Sequence, residues 1–455
     1  MGSIPCGGTP STLPSLLFQN VRIFDGHDEI PNGFVLVQDG VIAHVSTQPL
    51  LPPETSTLVI DKPGHTLMPG FIDGHVHVYE AAALRQSLAF GVTTVCDMHN
   101  EPHVMAKMRV AAKDSDAADL RAACHGATIE GGWPAGFLLA QDPSPEFRAA
   151  LAKWPNLKTQ ADVDAFVKSR KADADFVKLF HEDGRCLGVD LPKPSMEIQR
   201  MVIETAHKNG LPCFAHAFNL PSAIEILNAG ADGTAHTIVD CPPTAELIDA
   251  YKKNNAHCNP TLVGIASMTN QGLEDQEVYA NDPRAQRFLP GPAKALMCKC
   301  VALTSETCRV EYAYQSVKMM KDAGVDVIMG TDTSGRVGGM AYGVTAHHEI
   351  GMFVKHCGFR PIEALRSATS IPARRFRLKD RGRIQRGLRA DLVLVEGNPM
   401  NDIGDTLNLR GVWKQGKLCS SYHSTSTSSG PDWGMKKTLT RALTPESSSL
   451  VICEE

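Results

Sequence analysis

The sequence lacks several features that would mark it for other classes of protein. It has no Cys-x-x-Cys pair, and its 13 cysteines are scattered, so neither a zinc ribbon nor a disulfide framework is expected. It has no long basic run, and its formal net charge is −5, so neither a nucleic acid nor a membrane surface is an expected partner. No apolar run is long enough to span a bilayer. These absences favour a cytoplasmic protein with reduced thiols.

The first residues, "MGSIPCGGTPSTLPSLLFQN", have neither a basic region nor an apolar region, so a secretory signal is not expected. Position 6 is Cys rather than Ser or Thr, so the myristoylation pattern fails. The composition, with 43% hydrophobic and 21% charged residues, is that of a globular protein. A length of 455 residues predicts one large domain with a smaller one.

Both ends of the chain are rich in β-type patterns. Residues 1–15 are rich in Gly, Pro, Ser and Thr and are expected to be disordered, and residues 420–455 form a tail rich in Ser and Thr. Residues 16–66 contain short β-type runs with a hairpin signal at Asp39-Gly40, and residues 380–419 return to this pattern. The two β-rich segments predict one small β-sandwich domain built from both termini.

Between these segments, residues 67–379 alternate short apolar strands with amphipathic helices, many of them closed by Gly. About eight strand–helix units can be counted, which is the number in an α/β (β/α)₈ TIM barrel. The predicted strands are Gly70–Asp73, Thr93–Asp97, Arg121–His125, Phe176–Phe180, Cys213–His216, Gly233–His236, His257–Pro260 and Val325–Gly330.

Two histidines follow the first of these strands, in "LMPGFIDGHVHVYE". Residues i and i+2 of a strand point to the same face, so His75 and His77 are expected to project together. The carboxyl end of barrel strands carries the active site of barrel enzymes. Two neutral imidazoles make half of a zinc site. Alone, however, the pair is a weak signal, because two histidines at a strand end can simply be solvated.

Later residues of metal-ligand type also fall at the ends of predicted strands. They are Lys178, His216, His236 and Asp332. A lysine in the apolar strand "DADFVKLF" is costly if it is charged and unpaired. Lys178 could pair with Glu182 or Asp183, or it could be neutral and carry CO₂ as a carbamate that bridges two cations. His216 and His236, taken singly, could be hydrogen-bonded core histidines.

The chain resembles the amidohydrolase superfamily, most closely its imidazolonepropionase-like and metal-dependent dipeptidase-like branch, which includes amidases of the ochratoxinase type. The matching stretches are "MPGFIDGHVHV", "GVTTVCDM", "FVKLF", "AHAFN", "GTAHT", "GTDTSG", "SATSIPARRF" and "GRIQRGLRADLVLVEGNP". The resemblance covers roughly residues 16 to 420. It departs from the family at Ala235, where Glu is frequent, and at "HEDG" after Lys178.

The resemblance implies a barrel with a small β-sandwich and one or two divalent metals per chain, with zinc expected. His75 and His77 would bind the first metal, and carboxylated Lys178 would bridge to the second. His216 and His236 would bind that second metal. Asp332 would contact the first metal and move the proton.

The expected activity is hydrolysis of an amide, lactam or other carbon–nitrogen bond in a small molecule. The metal would activate a water, and Asp332 would take its proton and return it to the leaving nitrogen. A metal-dependent lyase, a decarboxylase or a hydrolase of C–C or C–O bonds remains an alternative, as does a metal-free scaffold on the same fold. A homo-oligomer is an open expectation.

Three residues just past strand ends are candidates for binding substrate: His181, Tyr79 and His99. Ordinary polar loop positions explain them equally well. The segment 126–147, with Trp133 and Phe137, is expected to be an active-site loop. Residues 259–292, after the seventh strand, are expected to form another such loop. The apolar content of both segments predicts a fairly hydrophobic substrate, although surface packing explains this content nearly as well.

Overall fold

The structure is a computed structural model that describes residues 13–423. Most of the predicted disordered start, residues 1–12, and of the predicted tail, residues 424–455, lies outside the described residues. The folded part extends past the predicted start of the tail, because Tyr422 is buried and its hydroxyl donates to the Ala89 carbonyl oxygen at 2.6 Å. No helix in the part from 13 to 423 is long and apolar enough to cross a membrane.

The described residues form fifteen strands. The strands are β1 (Leu16–Phe24), β2 (Glu29–Gln38), β3 (Val41–Ser46), β4 (Leu58–Asp61), β5 (His65–Pro69), β6 (Phe71–Val76), β7 (Val92–Asp97), β8 (Asp119–Ala122), β9 (Val177–Phe180), β10 (Cys213–His216), β11 (Gly233–Ala235), β12 (His257–Asn259), β13 (Leu392–Glu396), β14 (Leu409–Lys414) and β15 (Lys417–Leu418).

Sixteen α-helices lie between and around these strands within residues 13–423. The helices are α1 (Ala81–Ala89), α2 (Pro102–Ala111), α3 (Ala135–Gln141), α4 (Pro145–Leu151), α5 (Gln160–Asp173), α6 (Met196–Lys208), α7 (Leu220–Asn228), α8 (Ala245–Lys253), α9 (Leu262–Met268), α10 (Leu273–Asn281), α11 (Pro283–Gln286), α12 (Gly291–Met297), α13 (Val310–Asp322), α14 (Val344–Cys357), α15 (Pro361–Ser367) and α16 (Ser370–Arg375). Short 3₁₀ helices cover Arg185–Leu187, Ile403–Leu407 and Ser420–Tyr422.

The terminal segments share one sheet of eight strands in the order β15-β14-β13-β5-β1-β2-β3, with β4 paired to β1. The C-terminal strands join the N-terminal ones where β13 pairs antiparallel with β5. Asp39 and Gly40, both with positive φ, form the predicted hairpin between β2 and β3. The predicted domain boundary at 66/67 falls inside β5. The sandwich, which needs a second packed layer, stays a prediction.

The chain between the terminal segments forms two parallel sheets, β6-β7-β8 and β12-β11-β10-β9. Seven of the eight predicted strands are therefore strands in the structure, although β8 begins and ends earlier than expected. Residues 325–330, the eighth predicted strand, do not form a strand, because they make an isolated bridge rather than a continuous hydrogen-bonded ladder. Parallel bridges join Cys258 to Val327 and Val76 to Thr333.

Helices cover much of the chain that the sequence predicts as active-site loops. Segment 126–147 contains α3 and the start of α4, and the segment after β12 contains α9, α10 and α11. Every residue of α9 is buried. An all-buried helix shows no amphipathic period, and for this reason the sequence pattern does not reveal it.

Candidate metal centre

Four histidine rings form a continuous row at the carboxyl ends of the parallel strands. The ring centroids of His77 and His75 are 5.4 Å apart, those of His75 and His236 are 4.9 Å apart, and those of His236 and His216 are 4.6 Å apart. These residues come from β6, β10 and the end of β11, as strand alternation predicts for His75 and His77. The structure thus brings together all four of the predicted imidazole ligands.

Asp332 lies against this row. Its Oδ1 is 3.2 Å from Nε2 of both His75 and His77. Donor atoms of His75, His236 and Asp332 all lie within 4.8 Å of one another, which is close enough for one metal ion to bind them together. Three residues from distant parts of the sequence therefore converge on one point.

Two of these residues have backbones in the left-handed region that ordinary side chains avoid. The φ angle is +77° at His236 and +59° at Asp332. Such conformations cost about 1–3 kcal/mol each and persist where the surrounding structure holds them. Hydrogen bonds supply that hold, because Asp332 N donates to the His75 carbonyl oxygen at 2.8 Å and His236 N donates to that of Asn259 at 2.7 Å.

Neighbouring oxygens fix the orientation of two of the rings. His77 Nδ1 is hydrogen-bonded to the carbonyl oxygen of His99 at 3.0 Å. His236 Nδ1 is hydrogen-bonded to the hydroxyl of Thr261 at 2.7 Å. Each bond occupies one ring nitrogen and leaves Nε2 for another partner, which is the arrangement found for histidines that bind metals.

The strand end that carries His75 is held by a buried carboxylate. Asp73 accepts hydrogen bonds from the backbone N–H groups of His75 and Thr331, both at 3.1 Å, and from the Thr331 hydroxyl at 2.8 Å. Burial raises the pKa of Asp73 to about 7. These bonds join β6 to the segment that carries Asp332, so both ligand segments keep one position relative to each other.

Burial sets the protonation of the row. It lowers the pKa of His75 to about 3 and the pKa values of His216 and His236 below their usual range. At His77 burial acts in the same direction, but the bond to Asp332 outweighs it and raises the pKa. Burial would raise the pKa of Asp332, yet the imidazoles beside it hold that pKa well below normal. Three of the four imidazoles are thus neutral beside an ionised carboxylate, which are the forms that bind a cation.

Buried ring nitrogens provide a test of the fit to a metal. His75 Nδ1 has no hydrogen-bond partner among the described residues, and His216 Nε2 has only the Glu182 carboxylate, at 3.4 Å. A buried polar atom of this kind is costly unless something satisfies it. Together with the 3.2 Å spacing at Asp332, these nitrogens form a donor set of the type that zinc prefers, so the residues present fit a divalent metal.

Lys178 lies in β9, with only 1% of its surface exposed. No carboxylate among residues 13–423 forms an ion pair with Lys178. The two acids considered as its partners have other neighbours: Glu182 lies 3.4 Å from His216 Nε2, and Asp183 pairs with Arg185. Burial lowers the pKa of Lys178 to about 7, although Asp332 acts in the opposite direction. The amine is therefore much closer to its neutral form at physiological pH than an exposed lysine.

The three predicted substrate-binding residues have different surroundings. Tyr79 is partly exposed, and the Arg336 guanidinium lies 3.9 Å from its ring centroid. His99 is buried beside the site, and its Nε2 has no hydrogen-bond partner within the described chain. The His181 side chain has no exposed surface, and its Nε2 lies 2.9 Å from Glu225 Oε2.

Two buried acids near the site were not predicted as site residues, although Glu182 was considered as an ion-pair partner of Lys178. Glu182 accepts from the backbone N–H of Gly184 at 2.8 Å, and it contacts His216. Asp97 accepts from the backbone N–H of Val78 at 2.6 Å, next to His77. Asp97 ends β7, so the rule that located the other site residues at strand ends would also have found it. Glu182 lies beyond β9 and shows no comparable pattern.

Aromatic rings stack on two of the histidines in the row. Trp133 stacks on His216, with centroids 5.2 Å apart and planes at 25°. Phe218 stacks on His236 at 4.5 Å and 24°. The predicted loop containing Trp133 therefore does reach the site, and it brings apolar surface next to the ligands.

The model of the amidohydrolase family matches residues 66–419. An imidazolonepropionase from Deinococcus deserti is 33% identical over 98 residues, which is 21% of this chain and 24% of that enzyme. The chain thus matches only about a quarter of the length of this curated relative. The matched family segment covers all six predicted metal-site residues.

Solved structures share the fold. A Xaa-Pro dipeptidase with bound methionine has a TM-score of 0.69 and 21% identity, covering 89% of this chain and 99% of the other. Molinate hydrolase has a TM-score of 0.71 and 18% identity, covering 96% and 99%. Ochratoxinase from A. niger has a TM-score of 0.66 and 20% identity, covering 89% and 95%. These likenesses show that the chain shares the α/β fold of these hydrolases. The match over residues 66–419 shows that the chain belongs to the amidohydrolase family.

Proposed function

We propose that the protein is a metal-dependent hydrolase that cleaves an amide, lactam or other carbon–nitrogen bond of a small, fairly hydrophobic molecule. One or two divalent ions, expected to be zinc, would bind at the row of histidines. The residues that would hold them are His75, His77, Lys178, His216, His236 and Asp332. The observation that carries the proposal is the convergence of donor atoms from His75, His236 and Asp332 within 4.8 Å.

A divalent metal bound there would polarise the carbonyl under attack and make water a nucleophile at neutral pH. Asp332 is suited to move the proton, because its carboxylate is ionised and faces two imidazoles at 3.2 Å. It would accept the proton of the attacking water and give it to the leaving nitrogen. His77, held by the His99 carbonyl, keeps this carboxylate in place.

Lys178 would act as a carbamate. A neutral amine and CO₂ form a carbamate with loss of one proton, and the product is an anionic oxygen ligand. Burial of Lys178 and the lack of an ion-pair partner within the described residues support this assignment. The alternative, an ammonium paired with Glu182 or Asp183, has no support in the positions of those two acids.

The parallel strands would close into a barrel below this site. Isolated bridges link the two parallel sheets at Ala127 and Leu179, and join residues 325–333 to β12 and β6. One buried cluster contains Ile72 of β6, Phe214 of β10 and Ile328, which lies in the bridging residues 325–333. A packed interior of this kind is typical of (β/α)₈ barrels.

The substrate would be fairly hydrophobic. Trp133 and Phe137 pack together at a centroid distance of 5.2 Å, and Trp133 also stacks on His216. Imidazolonepropionase, molinate hydrolase, ochratoxinase and a dipeptidase are the similar proteins described above, and their names span both peptide and non-peptide substrates. The bond class, rather than one substrate, is therefore what we propose.

Metal analysis combined with an activity panel tests the proposal. The purified protein is expected to hold one or two equivalents of divalent metal and to release ammonia or amine from some members of a set of N-acyl compounds. His75→Asn is expected to lower both metal content and activity, and His44→Asn, an exposed position on β3, is the matched control. Well under one equivalent of metal, with turnover that chelators do not change, would contradict the proposal.

A further inference from the structure

Glu349 is a fully buried acid on α14, with no exposed surface. Its two oxygens accept hydrogen bonds from the backbone N–H groups of Leu262 at 2.7 Å and Val263 at 2.9 Å. These are the first two residues of α9. Within residues 13–423, no lysine, arginine or histidine forms an ion pair with Glu349. A buried carboxylate that caps a helix of another segment is expensive to maintain, so its position calls for an explanation.

Thr261 provides the explanation. It stands at the position before α9 where a threonine side chain normally accepts a hydrogen bond from the helix. Here its side chain makes no such bond. Its hydroxyl is instead hydrogen-bonded to Nδ1 of His236 at 2.7 Å, and its own φ is +52°. Glu349 satisfies the backbone N–H groups at the helix start and thereby leaves the Thr261 hydroxyl free for His236.

We infer that Glu349 is a positioning residue that sets the orientation of His236 through Thr261, and so controls the affinity of the metal site. The inference rests on the proposed function, since His236 is one of the proposed ligands. Without the Glu349 carboxylate, Thr261 would leave its left-handed conformation for the extended backbone of a capping residue, and its hydroxyl would turn to its own helix and release His236 Nδ1. The ring would then rotate more freely, and metal binding would have to order it.

Measurements of zinc affinity test whether Glu349 acts on His236 through Thr261. Glu349→Gln places an amide NH₂ against one of the two backbone N–H groups, and Thr261→Val removes the hydroxyl while keeping the shape of the side chain. Each variant is expected to bind zinc about 10-fold more weakly, the lower end of the effect of removing groups that orient metal ligands. Thr261→Ser is expected to bind zinc as the wild type does. Competition with a chelating dye measures the affinity.

The double variant Thr261→Val/Glu349→Gln separates positioning from general stability. If Glu349 acts through Thr261, the double variant binds zinc no more weakly than Thr261→Val alone. Asp391→Asn is the matched control, because Asp391 is also a buried acid that accepts a backbone N–H, from Gln415, but it lies in the terminal sheet. It is expected to lower the melting temperature of the metal-free protein without changing zinc affinity.

Each outcome decides the inference. Wild-type zinc affinity in Glu349→Gln, or equal and additive losses in the double variant, would overturn it while leaving the proposed function intact. Should Glu349→Gln fail to fold, Glu349→Asp takes its place, and unchanged affinity in Thr261→Val would overturn the inference by itself. A wild-type protein that binds neither zinc nor another divalent metal would overturn the proposed function and this inference together.

Discussion

His77 and Asp332 are separated by 255 residues, yet His77 Nε2 lies 3.2 Å from Asp332 Oδ1. Backbone hydrogen bonds fix this approach, because His77 N donates to the Thr333 carbonyl oxygen at 2.9 Å and Asp332 N donates to that of His75 at 2.8 Å. These bonds join the end of β6, which carries the imidazole, to residues 332–333, which carry the carboxylate, and so hold the two groups in a fixed relative position. A group held this firmly is suited to transfer protons without reorganisation.

Asp332→Asn is expected to reduce turnover by about 10²–10⁴-fold, the usual contribution of a general acid–base group. The amide keeps the shape of the side chain but cannot take the proton, so KM is expected to change far less than kcat. Steady-state kinetics with metal content measured on the same sample checks this. Asp249→Asn, an exposed position on α8, is the control. A near wild-type kcat in Asp332→Asn would show that the assigned role is wrong.

Trp133→Ala is expected to raise KM for apolar substrates about 10-fold, because it removes the ring that stacks on His216. Trp133→Phe, which keeps an aromatic face, is expected to recover much of the loss. Kinetics with a series of N-acyl compounds of increasing apolar size measures the effect. If the loss is the same for small polar and large apolar substrates, Trp133 does not contact the substrate.

The sequence predicts the strand ends because each is a short apolar run followed by a polar side chain. His75 and His77 lie two residues apart on one strand, so their common direction follows from strand geometry alone. The same alternation explains the position of His181. It lies three residues after Lys178 and so points to the opposite face, where it contacts Glu225. The role of His181 as a substrate contact stays a prediction.

Other features depend on contacts that no local pattern contains. The roles of Thr261 and Glu349 arise because α9 and α14 meet beside His236. Residues 325–330 form an isolated bridge rather than a strand, although backbone hydrogen bonds join them to Cys258 on one side and to Gly74 on the other. The apolar character of that run predicts burial correctly. It does not predict how continuous the hydrogen-bonded ladder is.

His207→Gln tests a pH dependence away from the site. His207 Nε2 lies 2.7 Å from Asp232 Oδ2, and this bond raises the pKa of His207. A raised pKa in the folded state gives stability that is complete below the unfolded pKa of about 6.5 and is lost as the pH rises through the folded pKa. The wild type should therefore melt above His207→Gln at pH 6, with a smaller difference at pH 9.

The effect on the free energy of unfolding should be at most about 1 kcal/mol. The side chains of His207 and Asp232 are 40% and 33% exposed, so solvent screens their interaction. Thermal melts at the two pH values measure it, and His44→Gln, at an exposed site without this partner, is the control. A difference between wild type and His207→Gln that grows as the pH rises would contradict the assignment.

Lys178→Ala distinguishes a carbamate bridge from a plain ammonium. If carboxylated Lys178 bridges two metals, the variant is expected to lose one metal and most activity, because the remaining ligands hold the second ion through imidazoles alone. A short carboxylate such as acetate, added to the buffer, is expected to restore part of both by occupying the vacated volume. Lys158→Ala, which removes an exposed lysine paired with Glu130, should change neither quantity. Two metals per chain in Lys178→Ala would contradict the bridging role, since the ions would then be held without it.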